Sequence, residues 1–215
     1  MGRRALRKIN PNIDLSFHYR TLEDLPAPFD PQAAFPKPGP LEVEVGSGKG
    51  LFMERVSGAF PDRNFVGIEI ASKYARYSAA RLARHGRTNA IMIQGDALRF
   101  FREWLGESLL DAVHVYFPDP WWKKRHRKRR VMREEFLRDI ERTLKPGGEL
   151  HFWTDVEEYF RETLDLLAAC TTLKGPVEPP EAPAEHDLDY RTHFERRMRL
   201  HGEPVYRSLF HKAAE

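Results

Sequence analysis

Residues 41–50 read LEVEVGSGKG. LEVEV alternates apolar and acidic residues with the period of two that a strand requires. It then runs directly into Gly46, Gly48 and Gly50. A strand that ends in a glycine turn and opens into a helix is the entry to a ligand-binding α/β unit, because glycine lets the backbone approach a ligand closely. The spacing is GxGxG. A dinucleotide fingerprint, GxGxxG, needs glycine at position 51, where Leu51 stands, and the phosphate-loop pattern GxxxxGK[ST] is absent.

Outward from this stretch the pattern stays regular. Helices are predicted over 51–58, 72–84, 97–105, 133–144 and 156–168, and strands over 64–70, 90–94, 111–117 and 149–153, with a turn at 145–148. Strands alternating with helices predict a mostly parallel sheet covered on both faces, a Rossmann-like α/β fold. Pro176, Pro179, Pro180 and Pro183 mark a loop. A short helix near 192–200 and a strand near 203–210 then complete the sheet with an antiparallel edge. Residues 1–40, with prolines at 26, 28, 31, 36, 38 and 40, read as a proline-rich, partly flexible arm, and 41–215 as the catalytic domain. Arg3, Arg4, Arg7 and Lys8 make the arm's start basic, which suits either a loose terminus or a segment that touches nucleic acid.

The chain of 215 residues is long enough for one such domain. No apolar run approaches the eighteen or so residues of a membrane span, and the basic N-terminus lacks the apolar stretch of a signal peptide. The single cysteine, Cys170, excludes an internal disulfide framework and a cysteine-based zinc site, and the nine histidines show no metal-ligand spacing. A cytoplasmic protein without metal or membrane is expected. Its oligomeric state, monomer or homodimer, is left open.

Carboxylates stand at successive strand ends. Glu44 lies just before the end of the first strand, Glu69 ends the second, and Asp96 follows the third. A carboxylate at Glu69 can accept from both hydroxyls of a ribose. Asp96 can accept from an adenine amino group, and Glu44 can orient an ammonium. With Gly46 and Gly48 beside them, these acidic walls suit S-adenosylmethionine, a cation without phosphate, better than a pyrophosphate cofactor.

The fourth strand runs into FPDPWWKKRHRKRRVM. Asp119 falls just beyond its carboxyl end, held between Pro118 and Pro120, where ligands bind in open α/β sheets. Residues 123–130, KKRHRKRR, hold seven of the 35 Lys+Arg residues; without them the chain is net acidic against 32 Asp+Glu. One concentrated basic spot points to a specific polyanion. Trp121 and Trp122 suit stacking on a base or packing under the loop.

These motifs resemble the bacterial tRNA (guanine-N7-)-methyltransferase family. That family carries E-x-G-x-G-x-G, here residues 44–50; G-I-E, here Gly67, Ile68 and Glu69; and F-P-D-P-W followed by a basic run, here 117–130. It later carries T-D, here Thr154 and Asp155, and T-x-[FY]-E, here 192–195. The resemblance covers residues 41 to about 207. It implies a class I methyltransferase fold that moves a methyl group from S-adenosylmethionine to N7 of the variable-loop guanosine, position 46 in tRNA numbering. It implies that Glu44, Glu69, Asp96 and Asp119 line the cofactor pocket and that Asp119 is catalytic. Lys123, Asp155, Thr192, His193, Phe194 and Glu195 would contact substrate. Arg125, His126, Arg127, Lys128, Arg129 and Arg130 would engage tRNA. Trp122 departs from the Pro or His associated with that place.

Guanine N7 carries a free lone pair, so its methylation needs no general base. Asp119 is expected to orient the purine and stabilise charge that develops on it. Asp155 is a second candidate for that work, or an N-cap of the following helix. The alternative within the class is a methyltransferase acting on another RNA or on an exocyclic amine, although those typically carry [DN]-P-P-[YFW] where this chain has Pro118-Asp119-Pro120-Trp121. An NAD-linked oxidoreductase and a catalytically silent RNA-binding module fit the glycine spacing and the full carboxylate set less well.

Overall fold

The computed structural model describes residues 6, 8–179 and 192–214. Arg3, Arg4, Arg7, Pro180 and Pro183 lie outside these residues. Eight described strands form one sheet: β1 (Tyr19–Thr21), β2 (Leu41–Val45), β3 (Asn64–Glu69), β4 (Ala90–Gln94), β5 (Leu110–Tyr116), β6 (Leu144–Thr154), β7 (Lys174–Val177) and β8 (Tyr206–His211). Their spatial order is β1-β4-β3-β2-β5-β6-β8-β7. Pairing is parallel from β1 through β6, and β8 joins β6 antiparallel, as the sequence led us to expect. Chain order reverses between β2 and β5, which opens a crevice at their carboxyl ends.

The period-two pattern sorts side chains onto two cores. Val43, Ile68, Ile93 and Val115 face one side with Phe101, Phe136 and Ile140. Phe65, Met92, Tyr116 and Trp153 face the other. That second side is covered by α2 (Leu51–Ala59) and α3 (Ser72–Arg84) through Phe52, Met53, Ala79 and Leu82. The first is covered by α5 (Glu134–Thr143) and α6 (Glu157–Cys170). Two short helices, α1 (Pro31–Ala34) and α4 (Ala97–Arg99), and a C-terminal helix, α7 (His193–Leu200), complete the described elements. The helix expected over 97–105 stops after α4 and continues as a π-helical turn, Phe100–Trp104. The expected turn at 145–148 appears as the break in register between Leu110–Leu144 and Ala112–Glu149 pairing.

Two regions depart from the sequence expectation. Within the segment read as an arm, β1 pairs in parallel with β4, Tyr19 opposite Met92. Leu22, Phe29 and Phe35 are buried in the main core, and Phe29 packs edge-on against Phe100 at 5.7 Å. A three-residue strand among prolines has no local signature; its stability comes from a sheet edge seventy residues away. In the other region, read as a loop, β7 forms an outer strand against β8 and includes Pro176. Proline is tolerated on an edge strand, where its missing N–H faces no partner.

Candidate active site

The glycine turn after β2 is built as its composition requires. Gly46, Gly48 and Gly50 have φ of 78°, 53° and 68°, the left-handed region that side chains disfavour. Gly50 caps α2 with its backbone, and a Cβ there would strike Ser78. The Gly48 N–H donates to Glu69 Oε2 at 2.9 Å and the Ala71 N–H to Glu69 Oε1 at 2.9 Å. Glu69 therefore ties the glycine turn to the start of α3, and each oxygen keeps lone-pair capacity for a hydroxyl donor. Asp96 caps α4, with Oδ1 accepting the Leu98 N–H at 2.8 Å.

Glu44 sits under this turn and is buried, and its Oε2 has no hydrogen-bond partner. Burial pushes its carboxyl up to about 8; a hydrogen bond from Ser47 opposes this and the nearby Glu69 charge adds to it. A buried carboxyl oxygen without a donor is costly to leave alone. It fits the ammonium of an amino-acid tail, and Glu69 beside it fits a ribose. The residues present thus suit S-adenosylmethionine.

The other half of the rim follows β5. Phe117 and Trp121 bracket Asp119, and both are non-glycine residues at positive φ, 49° and 44°. Such conformations cost about 1–3 kcal/mol and persist where surrounding structure holds them, often at functional sites. The Phe117 N–H bonds to the Trp153 carbonyl, and Asp119 is exposed at the mouth. α7 closes one side: Phe194 packs against Phe117 at 4.8 Å, and Arg197 lies over the Phe194 ring. Thr192 caps α7 by accepting the Glu195 N–H at 3.0 Å. Glu195, read as a substrate contact, is buried and paired with Arg199 at 3.3 Å, so it braces α7. The side chain of His193 lies outside the described residues.

Asp155 follows β6. It does not cap α6: the cap is Val156, whose N–H donates to Thr154 Oγ1. Burial raises the Asp155 carboxyl above its usual range, against the pull of the Arg197 charge and with the Glu203 charge. Asp155 therefore shares its surroundings with α7, which the N-cap reading would not have placed there.

The family model Methyltransf_4, a methyltransferase family, matches residues 38–208, a span that takes in every side chain of this rim. The chain is 50% identical, over 99% of its own length and 80% of the relative's, to the tRNA (guanine-N(7)-)-methyltransferase of Rhodopirellula baltica. It is 37% identical to the enzyme of the same description from Paracidovorax citrulli, over 90% of this chain and 77% of that one. The chain belongs to the tRNA (guanine-N7-)-methyltransferase family. In fold it is similar to precorrin-6y C5,15-methyltransferase of Geobacter metallireducens, with a TM-score of 0.57, 14% identity and 82% of each chain covered.

The basic run that marks this methyltransferase family divides in two. Residues Lys124–Arg129 form a 3-10 helix. Lys123, Arg125, Lys128 and Arg129 are exposed. Arg127 instead pairs with Glu158 and Glu162 of α6. Arg130 is buried: it pairs with Glu162, donates from Nε to the Pro120 carbonyl at 2.7 Å and lies over the Tyr159 ring. Arg130 and Arg127, both read as tRNA contacts, thus anchor the loop to the domain. Trp121 packs under the loop, edge-on to His126 at 5.9 Å with the Arg129 guanidinium over it, whereas Trp122 is 65% exposed.

The reading from sequence missed the acidic clasp of Glu158 and Glu162. A signal was present. Two carboxylates four residues apart on one helix repel each other and destabilise an isolated helix, so they call for a cation from elsewhere. Among the described residues no group of three or more His, Cys, Asp or Glu is placed to hold a metal, and no helix is long and apolar enough to cross a membrane.

Proposed function

We propose that this protein transfers a methyl group from S-adenosylmethionine to N7 of the variable-loop guanosine, position 46, of tRNA. The observation that carries this reading is the placement on one rim of a buried, unpartnered Glu44 oxygen, a glycine turn braced by Glu69, and Asp119 beside an exposed basic loop. The names of relatives at 50% and 37% identity support N7 of a guanine in tRNA as the acceptor.

When bound, S-adenosylmethionine supplies an electrophilic methyl group on a sulfonium. Glu44 holds the ammonium of its tail, Glu69 the ribose hydroxyls and Asp96 the adenine side of the pocket. Because guanine N7 has a free lone pair, no residue needs to remove a proton before attack. Asp119 accepts from the guanine N1–H and amino group, which selects guanine over adenine and aligns N7 for in-line transfer. Its charge also stabilises the positive charge that grows on the purine. Asp155, Thr192 and Phe194 shape the side of the pocket next to Phe117. Lys123, Arg125, Lys128 and Arg129 hold phosphates, and residues 41–215 form the catalytic domain onto which the N-terminal segment packs.

The test is transfer of labelled methyl onto unmodified tRNA followed by nucleoside analysis. Label in 7-methylguanosine supports the reading. Label in an N2- or N6-methylated nucleoside, or none in tRNA, overturns it.

A further inference from the structure

The basic loop is not the only cationic surface at the cleft. α3 contains Lys73, Arg76, Arg81 and Arg84 and no acidic residue. Its buried residues are Ala75, Ser78, Ala79, Ala80 and Leu82; Lys73, Arg76, Tyr77 and Arg84 follow one another along the other side at helical spacing, with Ala80 between them beside Ile9 and Ile13 of the N-terminal segment. Arg81 is neutralised: it pairs with Glu54, as does His85. Among the described residues, Lys73, Arg76 and Arg84 have no carboxylate within ion-pair distance, and all three are exposed.

Two of these charges do nothing for the helix itself. Lys73 and Arg76 stand near the N-terminus of α3, where the helix dipole disfavours cations, and no acidic residue offsets them in the first turn. Aromatic rings accompany them. The Arg76 guanidinium lies 5.2 Å from the centre of the Tyr19 ring, and Lys73 lies over Tyr74. Further along, Tyr77 and Arg84 line a groove of about 90 Å³ together with Lys8 from the N-terminal segment. Cations interleaved with aromatic rings fit a nucleic-acid backbone and its bases better than they fit a protein or a lipid surface.

The place of this stripe in the sheet gives it a role. α3 begins beside Ala71, whose N–H is held by Glu69, so its first turn stands on the cofactor rim. β3 lies on one side of β2 and β5 on the other, so α3 and the basic loop flank the cleft from opposite sides. At 1.5 Å per residue, α3 extends the cationic track by about 20 Å away from the cleft.

We propose that the face of α3 carrying Lys73, Arg76 and Arg84, with Lys8, is a second RNA-backbone site, so that tRNA straddles the cleft between α3 and the basic loop. This rests on the proposed tRNA reading. The site acts on binding and leaves the chemistry at Asp119 unchanged.

The test is the triple variant Lys73→Gln, Arg76→Gln, Arg84→Gln, compared with wild type for methyl transfer to tRNA, for tRNA binding at several salt concentrations and for S-adenosylhomocysteine binding. Because three cations no longer neutralise phosphate, the slope of log K against log salt becomes shallower by about 2–3 units. The tRNA KM rises about tenfold or more, while kcat at saturating tRNA and S-adenosylhomocysteine affinity stay within a few-fold. An unchanged slope and KM overturn the proposal while wild-type activity keeps the tRNA reading intact; wild type inactive on tRNA overturns that reading and this surface with it. A second measurement avoids any question of folding in the variant: acetylation of Lys73 and Lys8 in wild-type protein, followed by mass spectrometry. Protection of both by tRNA supports the proposal, and equal reaction with and without tRNA overturns it.

Discussion

The Arg130 guanidinium lies over the Tyr159 ring, 4.5 Å from its centre. This contact, with the Glu162 pair and the Pro120 carbonyl, makes the end of the basic run a buried anchor. The run therefore presents exposed cations from a loop that is fixed at one end to α6 and at the other to the strained Phe117–Trp121 segment.

Arg130→Ala should lower thermal stability and activity on tRNA, because it leaves the Pro120 carbonyl without its donor and Glu162 with Arg127 as its remaining partner. Removing a charged buried hydrogen bond costs about 1.5–3 kcal/mol. The salt slope of tRNA binding should stay within about half a unit of wild type. Replacing Arg125, Lys128 and Arg129 with Ser should do the reverse: a melting temperature lowered by no more than about 2–4 °C, the share of the lost Arg129–Trp121 contact, and a slope shallower by about 2–3 units. Calorimetry and anisotropy on both variants separate the anchor from the RNA-facing surface.

Glu69→Ala should weaken S-adenosylhomocysteine binding by at least about tenfold, since charge-assisted bonds are worth about 1.5–3 kcal/mol each. The same substitution frees the Gly48 and Ala71 amides, so Glu69→Gln, which keeps an acceptor, should recover part of the affinity. Titration calorimetry reads both. Equal binding by Glu69→Ala and wild type would remove Glu69 from the pocket.

The Glu44 carboxyl, raised to about 8, is neutral near pH 6 in the protein alone and must lose its proton to hold an ammonium. Cofactor binding should strengthen as pH rises from about 6 toward 8, with proton release visible in buffers of different ionisation enthalpy. Stability runs the other way. The folded carboxyl keeps its proton to higher pH than the unfolded one, so this group's contribution falls as pH rises from 4.5 to about 8. Glu44→Gln should raise the melting temperature by more at pH 8 than at pH 5, by about 2–4 °C per kcal/mol in a domain of this size. It should also flatten the pH dependence of binding.

Asp119→Ala should lower the rate by about 10²–10³ while changing S-adenosylhomocysteine affinity far less, as expected for a preorganised electrostatic group. Asp119→Asn should keep part of the guanine contact and fall between the two. Single-turnover transfer to tRNA measures the chemical step. Variants within a few-fold of wild type would move the role to Asp155, whose carboxyl shares its environment with Arg197.

The strands β2 to β5, the GxGxG turn and the carboxylates at the strand ends were all legible in the sequence. Alternation of apolar residues and the backbone freedom of glycine are properties of neighbours along the chain, so a local pattern carries them. The same holds for the position of Asp119 between two prolines. Which cations of the basic run stay exposed was not legible. Arg127 and Arg129 are two residues apart in one basic run, and only contact with carboxylates some 30 residues downstream makes the first an anchor and leaves the second on the surface. Likewise, nothing near Tyr19 announces a strand, because its partner is β4; and the proton affinity of Glu44 follows first from the depth at which the sheet buries it, which no local pattern carries. Burial and ion pairing are sums over long-range neighbours, and those neighbours exist only once the chain has folded.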